Sequence, residues 1–267
     1  MKKLGLVGCG TIGREIALAI DRGEIEMVLS YLCDLDVAKA GSLKKDLKNF
    51  SPEILTIEEL VKKSDFVVEA ASKDVAPLVL KLCLKEKRDI LIMSIGGLLS
   101  EEELLTEARK NISIYLPSGA LAGLDAIKAA RLGGIKSVRL TTTKPPQGLE
   151  GAPYVKARQI DLKAIKEKKV IFEGTASEAV KGFPQNVNVA ALLSLAGLGP
   201  EKTMVSIVVD PQEKRNCHEI EVIGDFGRLI TRTENLPSPR NPKTSYLASL
   251  SAIATLKGLS TSLKIGT

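Results

Sequence analysis

Apolar residues in the first half of the chain gather into short continuous runs, separated by stretches in which they recur every three or four positions. The runs Lys3 to Val7, Met27 to Cys33, Ser64 to Ala71, Asp89 to Ser94 and Asn111 to Leu116 predict strands. Helical spacing over Arg14 to Ile20, from Ile57 onward, over Asp74 to Lys87 and over Ser100 to Lys110 predicts the helices between them, and Ser100 with Glu103 has capping-box spacing. Strand and helix in alternation predict an α/β fold with a doubly wound sheet.

Beyond about residue 124 the period changes. After a helix over Leu124 to Ala130, β-like runs dominate: Ser137 to Thr143, Lys169 to Glu173, Thr203 to Asp210, Cys217 to Gly224 and Arg228 to Glu234. One long helix, Val187 to Ala196, interrupts them, and Leu162 to Lys169 reads as a Lys/Glu-mixed helix. The pattern predicts a second α+β domain around an antiparallel or mixed sheet. Leu236 to Pro242 is rich in turn residues and leads to a final helix over Ser245 to Lys257. The domains expected are 1–123, 124–242 and a C-terminal helix, 243–267, packing back at their junction. No internal repeat or low-complexity linker interrupts the chain.

The first strand runs straight into Gly8-Cys9-Gly10-Thr11-Ile12-Gly13 and then a helix. Strand, glycine turn and helix form the dinucleotide-binding, or Rossmann, fingerprint. The first glycine makes the turn, the second admits the pyrophosphate and the third lets helix and strand pack closely. The helix N-terminus, with Thr11 and Ile12, offers N–H groups to the phosphates. The second strand ends at Asp34, and 34 minus 13 places it 21 residues after the last glycine. An acidic residue about 20 on binds the ribose hydroxyls. Asp34 favours NAD, because a carboxylate repels the 2′-phosphate of NADP, while Lys39, Lys44 and Lys45 keep NADP open. Ligands of such sheets bind beyond the carboxyl ends of the strands. Three segments rich in small residues lie there: Glu69-Ala70-Ala71-Ser72, Ser94-Ile95-Gly96-Gly97 and Pro117-Ser118-Gly119-Ala120.

Composition narrows the partners. The 267 residues carry a net charge of +6, spread through mixed helices, with 3% aromatics. That argues against a nucleic-acid stacking surface and suits an anionic small molecule. No run approaches the roughly 20 apolar residues of a membrane span, and the first strand starts too early for a signal peptide, so a cytoplasmic setting is expected. Cys9, Cys33, Cys83 and Cys217 lack metal or disulfide spacing and are expected to be free thiols. No metal ligand set is recognisable.

His218 is the single histidine, in the strand-like Asn216-Cys217-His218-Glu219-Ile220-Glu221-Val222. Imidazole is the side chain that titrates near neutrality, so His218 is the candidate acid or base, against the plainer reading of a satisfied strand residue. Cys217 faces the opposite side of a regular strand. It is therefore no partner for His218, and Glu219 and Glu221 read as solvated charges on the Cys217 side.

Five segments together, the glycine turn, Pro117-Ser118-Gly119-Ala120 with Gly123-Leu124-Asp125, Phe183 to Ala190, Asn216-Cys217-His218 and Asn241-Pro242-Lys243-Thr244-Ser245, resemble the L-aspartate dehydrogenases of bacteria and archaea. The similarity spans nearly the whole chain. It implies hydride transfer from the α-carbon of L-aspartate to NAD or NADP, giving iminosuccinate that becomes oxaloacetate and ammonia or enters quinolinate synthesis. It also implies a homodimer built through the second domain. On this resemblance His218 is catalytic, Ser118, Ala120 and Asn188 lie on the nicotinamide side, and Ala122 and Asn186 are the register alternatives. A dicarboxylate needs cationic or backbone donors, which Lys243, Thr244 and Ser245 and the amide of Asn186 could supply. Helix capping would use Thr244, Ser245 or either asparagine equally well. Two alternatives share the architecture: a reductase of the dihydrodipicolinate or aldehyde type, and a non-catalytic NAD-binding regulator.

Overall fold

The computed structural model describes residues 1–184 and 187–266, and of Val187, Pro242 and Lys243 the backbone alone. It divides the chain into two units. Met1–Gly119 with Ala248–Lys264 forms the first, and Ala120–Leu247 with the end of the chain forms the second. The break thus falls at 119/120, where 123/124 was expected.

The first unit runs β1 (Lys2–Val7), α1 (Thr11–Asp21), β2 (Met27–Cys33), α2 (Val37–Asp46), β3 (Glu53–Ile54), α3 (Ile57–Lys63), β4 (Phe66–Glu69), α4 (Ala76–Glu86), β5 (Asp89–Ile92), α5 (Glu102–Asn111) and β6 (Ile114–Tyr115). Its six parallel strands are ordered β3-β2-β1-β4-β5-β6. The continuous apolar runs are explained by two cores, one on each face. Leu4, Leu6, Phe66, Val68 and Leu91 pack with Ile16 and Ile20 of α1 and with Ala252 and Leu256 from the end of the chain. On the other face Val7, Val67, Ile90 and Ile92 meet Leu60 and Val61 of α3 and Val79, Leu80 and Cys83 of α4.

The capping box expected at Ser100 and Glu103 does not form. A 3₁₀ turn over Ile95–Leu98 is extended by a bond from Glu101 N to the Leu98 carbonyl, which holds Ser100 in the turn and moves the cap to Glu101. Capping boxes close instead on Thr56 with Glu59 and on Thr175 with Glu178. Asn111 ends α5, so the expected strand from Asn111 shrinks to β6.

The second unit contains α6 (Leu124–Leu132), β7 (Ile135–Lys144), α7 (Pro153–Ala157), β8 (Lys169–Thr175), α8 (Ala176–Gly182), α9 (Val187–Ala196), β9 (Thr203–Val209), β10 (Asn216–Gly224) and β11 (Gly227–Asn235). The sheet order is β11-β10-β7-β9-β8, with β7 and β9 parallel and the other pairs antiparallel, so the sheet is mixed. Its inner face carries Val138, Leu140, Val205, Ile207, Ile220 and Val222 against Ile127, Ala179, Phe183 and Leu193 from the helices.

Leu162 to Lys169 is not a helix. The Asp161 carboxylate accepts bonds from Lys163 N and Ala164 N at 2.9 and 3.3 Å, and β8 begins at Lys169. This local side-chain turn competes with helix over a segment too short to nucleate one. Two helices too short to show a helical period in the sequence, α7 and α8, flank β8. The turn-rich stretch after residue 236 pairs into a hairpin, β12 (Pro237–Ser238) with β13 (Asn241–Ser245), and the last helix, α10, follows over Tyr246–Ser260. Ser245 therefore closes a strand instead of opening the helix.

Candidate active site

The glycine turn follows β1 in the first unit, where strand order reverses between β1 and β4. Gly8 adopts φ 98°, and a Cβ there would strike the backbone of Ala70 and Ala71. A Cβ on Gly13 would fall on the Gly8 carbonyl oxygen. These two glycines let loop and helix approach. Gly10 differs: a Cβ there would meet nothing within 4 Å. Gly10 is the N-cap of α1 and supplies no side-chain cap, and the first turn holds no acidic residue, which suits an anion at that helix end. Asp34 accepts bonds from Cys9 N at 2.7 Å and Asp36 N at 2.9 Å, so its carboxylate is fixed at the end of β2.

Gly8, Gly10, Asp34, Lys39, Ala70 and Ala71 share the lining of a cavity of about 770 Å³. Lys44 and Lys45 lie instead in the last turn of α2. The cradle fits a dinucleotide: small where backbone must approach, uncapped where phosphate would sit, acidic where ribose hydroxyls would be. Glu69 supports one wall. It is fully buried and accepts bonds from Ala71 N at 2.8 Å, Ser94 N at 3.0 Å and Ser94 Oγ at 2.8 Å, tying the ends of β4 and β5 together. Burial pushes its carboxyl upward, against the pull of these bonds.

In the second unit the inner face of the sheet changes character at one register level. Leu140 pairs with Ile220, and the next inward step pairs Thr142 with His218 and His218 with Thr233. One step further along β7 stands Lys144. The His218 ring is 5% exposed, and its Nδ1 lies 3.0 Å from Thr142 Oγ1. Burial first, and the Lys144 ammonium second, push its pKa down to about 3, so the imidazole is neutral at neutral pH. Lys144 is itself 7% exposed, and burial lowers its pKa to about 8.

Cys217 points away from His218. It bonds to Glu213 and is pushed up to about 11 by burial and then by that bond, which leaves it a protonated thiol. Glu219 and Glu221, on its face, pair with Arg232 and Arg228. All four cysteines are free and buried. Among the described residues no helix is long and apolar enough to cross a membrane, and no group of three metal-ligating side chains converges.

The remaining candidates are dispersed. Thr11 and Ile12 open α1, and Ser118 is half-buried in the first unit. Ala120 and Ala122 belong to the second unit, where the Ala120 carbonyl accepts from Thr233 Oγ1 and Asn235 Nδ2 at 2.8 and 3.1 Å and the Ala122 carbonyl from Thr231 Oγ1 at 3.1 Å. β11 thus pins this loop. Asn188 is exposed on α9, and Thr244 and Ser245 are half-buried in β13. The Ser245 hydroxyl is buried without a hydrogen-bond partner among the described residues. Asn186 and the Lys243 side chain lie outside the described residues. Thr142 and Lys144 carry no signal in a strand read as Ser137 to Thr143. Extending its alternation by one residue puts a lysine in the buried phase, an anomaly that marks the position.

A parallel sheet in this order, with the glycine cradle at its switch point, defines a dinucleotide-binding protein of the Rossmann class. Residues 8–117 match the family described as "Homoserine dehydrogenase, NAD binding domain", and residues 125–259 match "Aspartate dehydrogenase, C-terminal". The chain belongs to the L-aspartate dehydrogenase family. It is 50% identical to the L-aspartate dehydrogenase of Methanosarcina mazei over all of both chains, and 42% identical to that of Bradyrhizobium diazoefficiens over 99% of this chain and 94% of the relative. Among solved structures, aspartate dehydrogenase from Thermotoga maritima matches over all of both chains with a TM-score of 0.75 at 27% identity. Scyllo-inositol dehydrogenase from Lactobacillus casei shares the fold, with a TM-score of 0.56 at 18% identity over 96% of this chain and 85% of that one.

Proposed function

We propose that the protein oxidises L-aspartate at its α-carbon with NAD or NADP. The product is iminosuccinate, which hydrolyses to oxaloacetate and ammonia or passes on to quinolinate synthesis, so that the reaction feeds pyridine-nucleotide biosynthesis. The observation that carries this reading is the buried, neutral His218 bonded to Thr142, in a chain related end to end to L-aspartate dehydrogenases.

Gly8, Gly10, Thr11, Ile12, Gly13 and Asp34 would hold the pyrophosphate and adenine ribose, with Ala70, Ala71, Ser118, Ala120 or Ala122, and Asn188 toward the nicotinamide. When bound, the nicotinamide ring supplies the acceptor for the hydride that leaves the substrate α-carbon. In the tautomer whose Nδ1–H donates to Thr142 Oγ1, the His218 ring keeps a free lone pair on Nε2. That nitrogen takes a proton from the substrate ammonium or from the water that attacks the imine. Thr244, Ser245, Lys243 and Asn186 are read as substrate contacts. A homodimer built through the second unit and a cytoplasmic setting accompany this function.

Formation of reduced nicotinamide from NAD and from NADP, across a panel of L-amino acids, tests the proposal. Turnover selective for aspartate is expected, with oxaloacetate and ammonia supporting the reverse reaction. Silence in both directions would overturn it and favour a different reductase or a nucleotide-binding regulator.

A further inference from the structure

Lys144 is the one buried lysine among the described residues. β7 explains its position. Val138, Leu140, Thr142 and Lys144 occupy alternate positions and therefore one face of the strand, the face that builds the core of the second unit. The aliphatic stem is hemmed by the turn that follows: a Cβ on Gly148 would stand 3.4 Å from both Cβ and Cδ of Lys144. The Lys144 carbonyl accepts a bond from Asp210 N at 3.0 Å, which fixes the backbone.

Among the described residues no ion pair or hydrogen bond engages its ammonium, and burial alone accounts for its lowered pKa. Buried charges are ordinarily paired, because an unpaired one forfeits its hydration without compensation. Arginine and glutamate do pair on the opposite face of the same sheet, at Arg139 with Glu173 and Arg228 with Glu221. Among the described residues the inner face offers Lys144 no such partner, and His218 stands diagonally across from it, within reach of a long side chain on neighbouring strands.

We propose that Lys144 is the counter-ion for a carboxylate of the substrate, held beside His218 on the inner face of the second unit. This deepens the reading of the protein as an enzyme of aspartate and rests on it for the identity of the substrate. A bound carboxylate gives the ammonium the partner the fold withholds. It also cancels the repulsion by which that ammonium opposes a proton on His218, so occupation of the site makes the imidazole a stronger base.

The test uses the full chain at pH 7 with saturating NAD and two variants, Lys144→Met and Lys144→Gln. Binding of succinate, which is aspartate without its amine, is measured by calorimetry beside the KM for L-aspartate and the melting temperature without ligand. Both variants should weaken succinate binding and raise the aspartate KM roughly 10- to 100-fold, the worth of a charge-assisted hydrogen bond. Their melting temperatures should equal or exceed that of the parent, since each removes a buried, unpaired charge.

Unchanged succinate affinity in either folded variant would overturn the proposal. So would a parent protein that binds no succinate, or a lowered melting temperature in both variants, which would mark a structural role. A parent that binds succinate through Lys144 yet leaves aspartate unoxidised would uphold the carboxylate site and refute the aspartate reaction.

Discussion

His218 and Lys144 titrate in the folded protein far from where they titrate in the unfolded chain, and each difference leaves its own trace in stability. The folded imidazole titrates near 3 against an ordinary value of 6.5, so between these values the unfolded chain binds the extra proton and acid favours unfolding. Denaturant unfolding of the parent and of His218→Gln, repeated from pH 7 down to pH 4, should show the parent losing stability faster. Parallel curves would refute the buried, neutral ring. For Lys144 the ordinary 10.5 falls to about 8, so the unfolded chain again binds more protons between them, and stability from this residue rises with pH over that range. Turnover gives a separate test. His218→Ala should keep nucleotide affinity and lose roughly 100- to 10,000-fold in kcat, and near-normal activity would remove the imidazole from the reaction. Histidine was legible because the sequence contains only one. Lys144 was not, since a lysine after three threonines reads as the polar end of a strand until its phase is counted, and that no carboxylate among the described residues pairs with it is a tertiary fact.

Between β1 and α1, two glycines that look alike in the motif do different physical work. Gly10→Asp has open space for its side chain and an extended backbone, so the fold should survive while nucleotide binding is lost to charge repulsion. Gly13→Ala puts a methyl group on a backbone oxygen and should cost about 1–3 kcal/mol of stability before any ligand is considered. Thermal melts with and without NAD separate the two cases, and a Gly10→Asp variant that still responds to NAD would refute the assigned site. At the end of β2, Asp34→Ser should raise the NADP-to-NAD ratio of kcat/KM by at least about tenfold, because a fixed like charge facing a phosphate costs several kcal/mol. Elements of this kind were the most readable part of the chain. β2 and α9 have the bounds that periodicity predicts, since apolar runs and helical spacing are local. The capping box at Ser100 and the helix from Leu162 failed because a preceding turn and the Asp161 carboxylate claimed the backbone first.

On the scale of the whole molecule, the chain leaves the first unit after Gly119 and returns to it at Ala248, and Ala252 and Leu256 complete the core around β1 and α1. Sequence periodicity shows that this last helix exists but cannot show which core receives it. A fragment of residues 1–119 should be markedly less stable than the same fragment joined through a flexible linker to residues 248–264, as measured by denaturant unfolding. Equal stability would mean that the helix is an accessory to that core. The same discontinuity bears on how the protein is made. A ribosome releases the nucleotide-binding half first, yet the helix that closes its core is translated only after the entire second unit, a delay on the order of 10 s at ordinary elongation rates. During that interval the face awaiting Ala252 and Leu256 is open to solvent, and it is there that a chaperone holding the nascent chain would have most to cover.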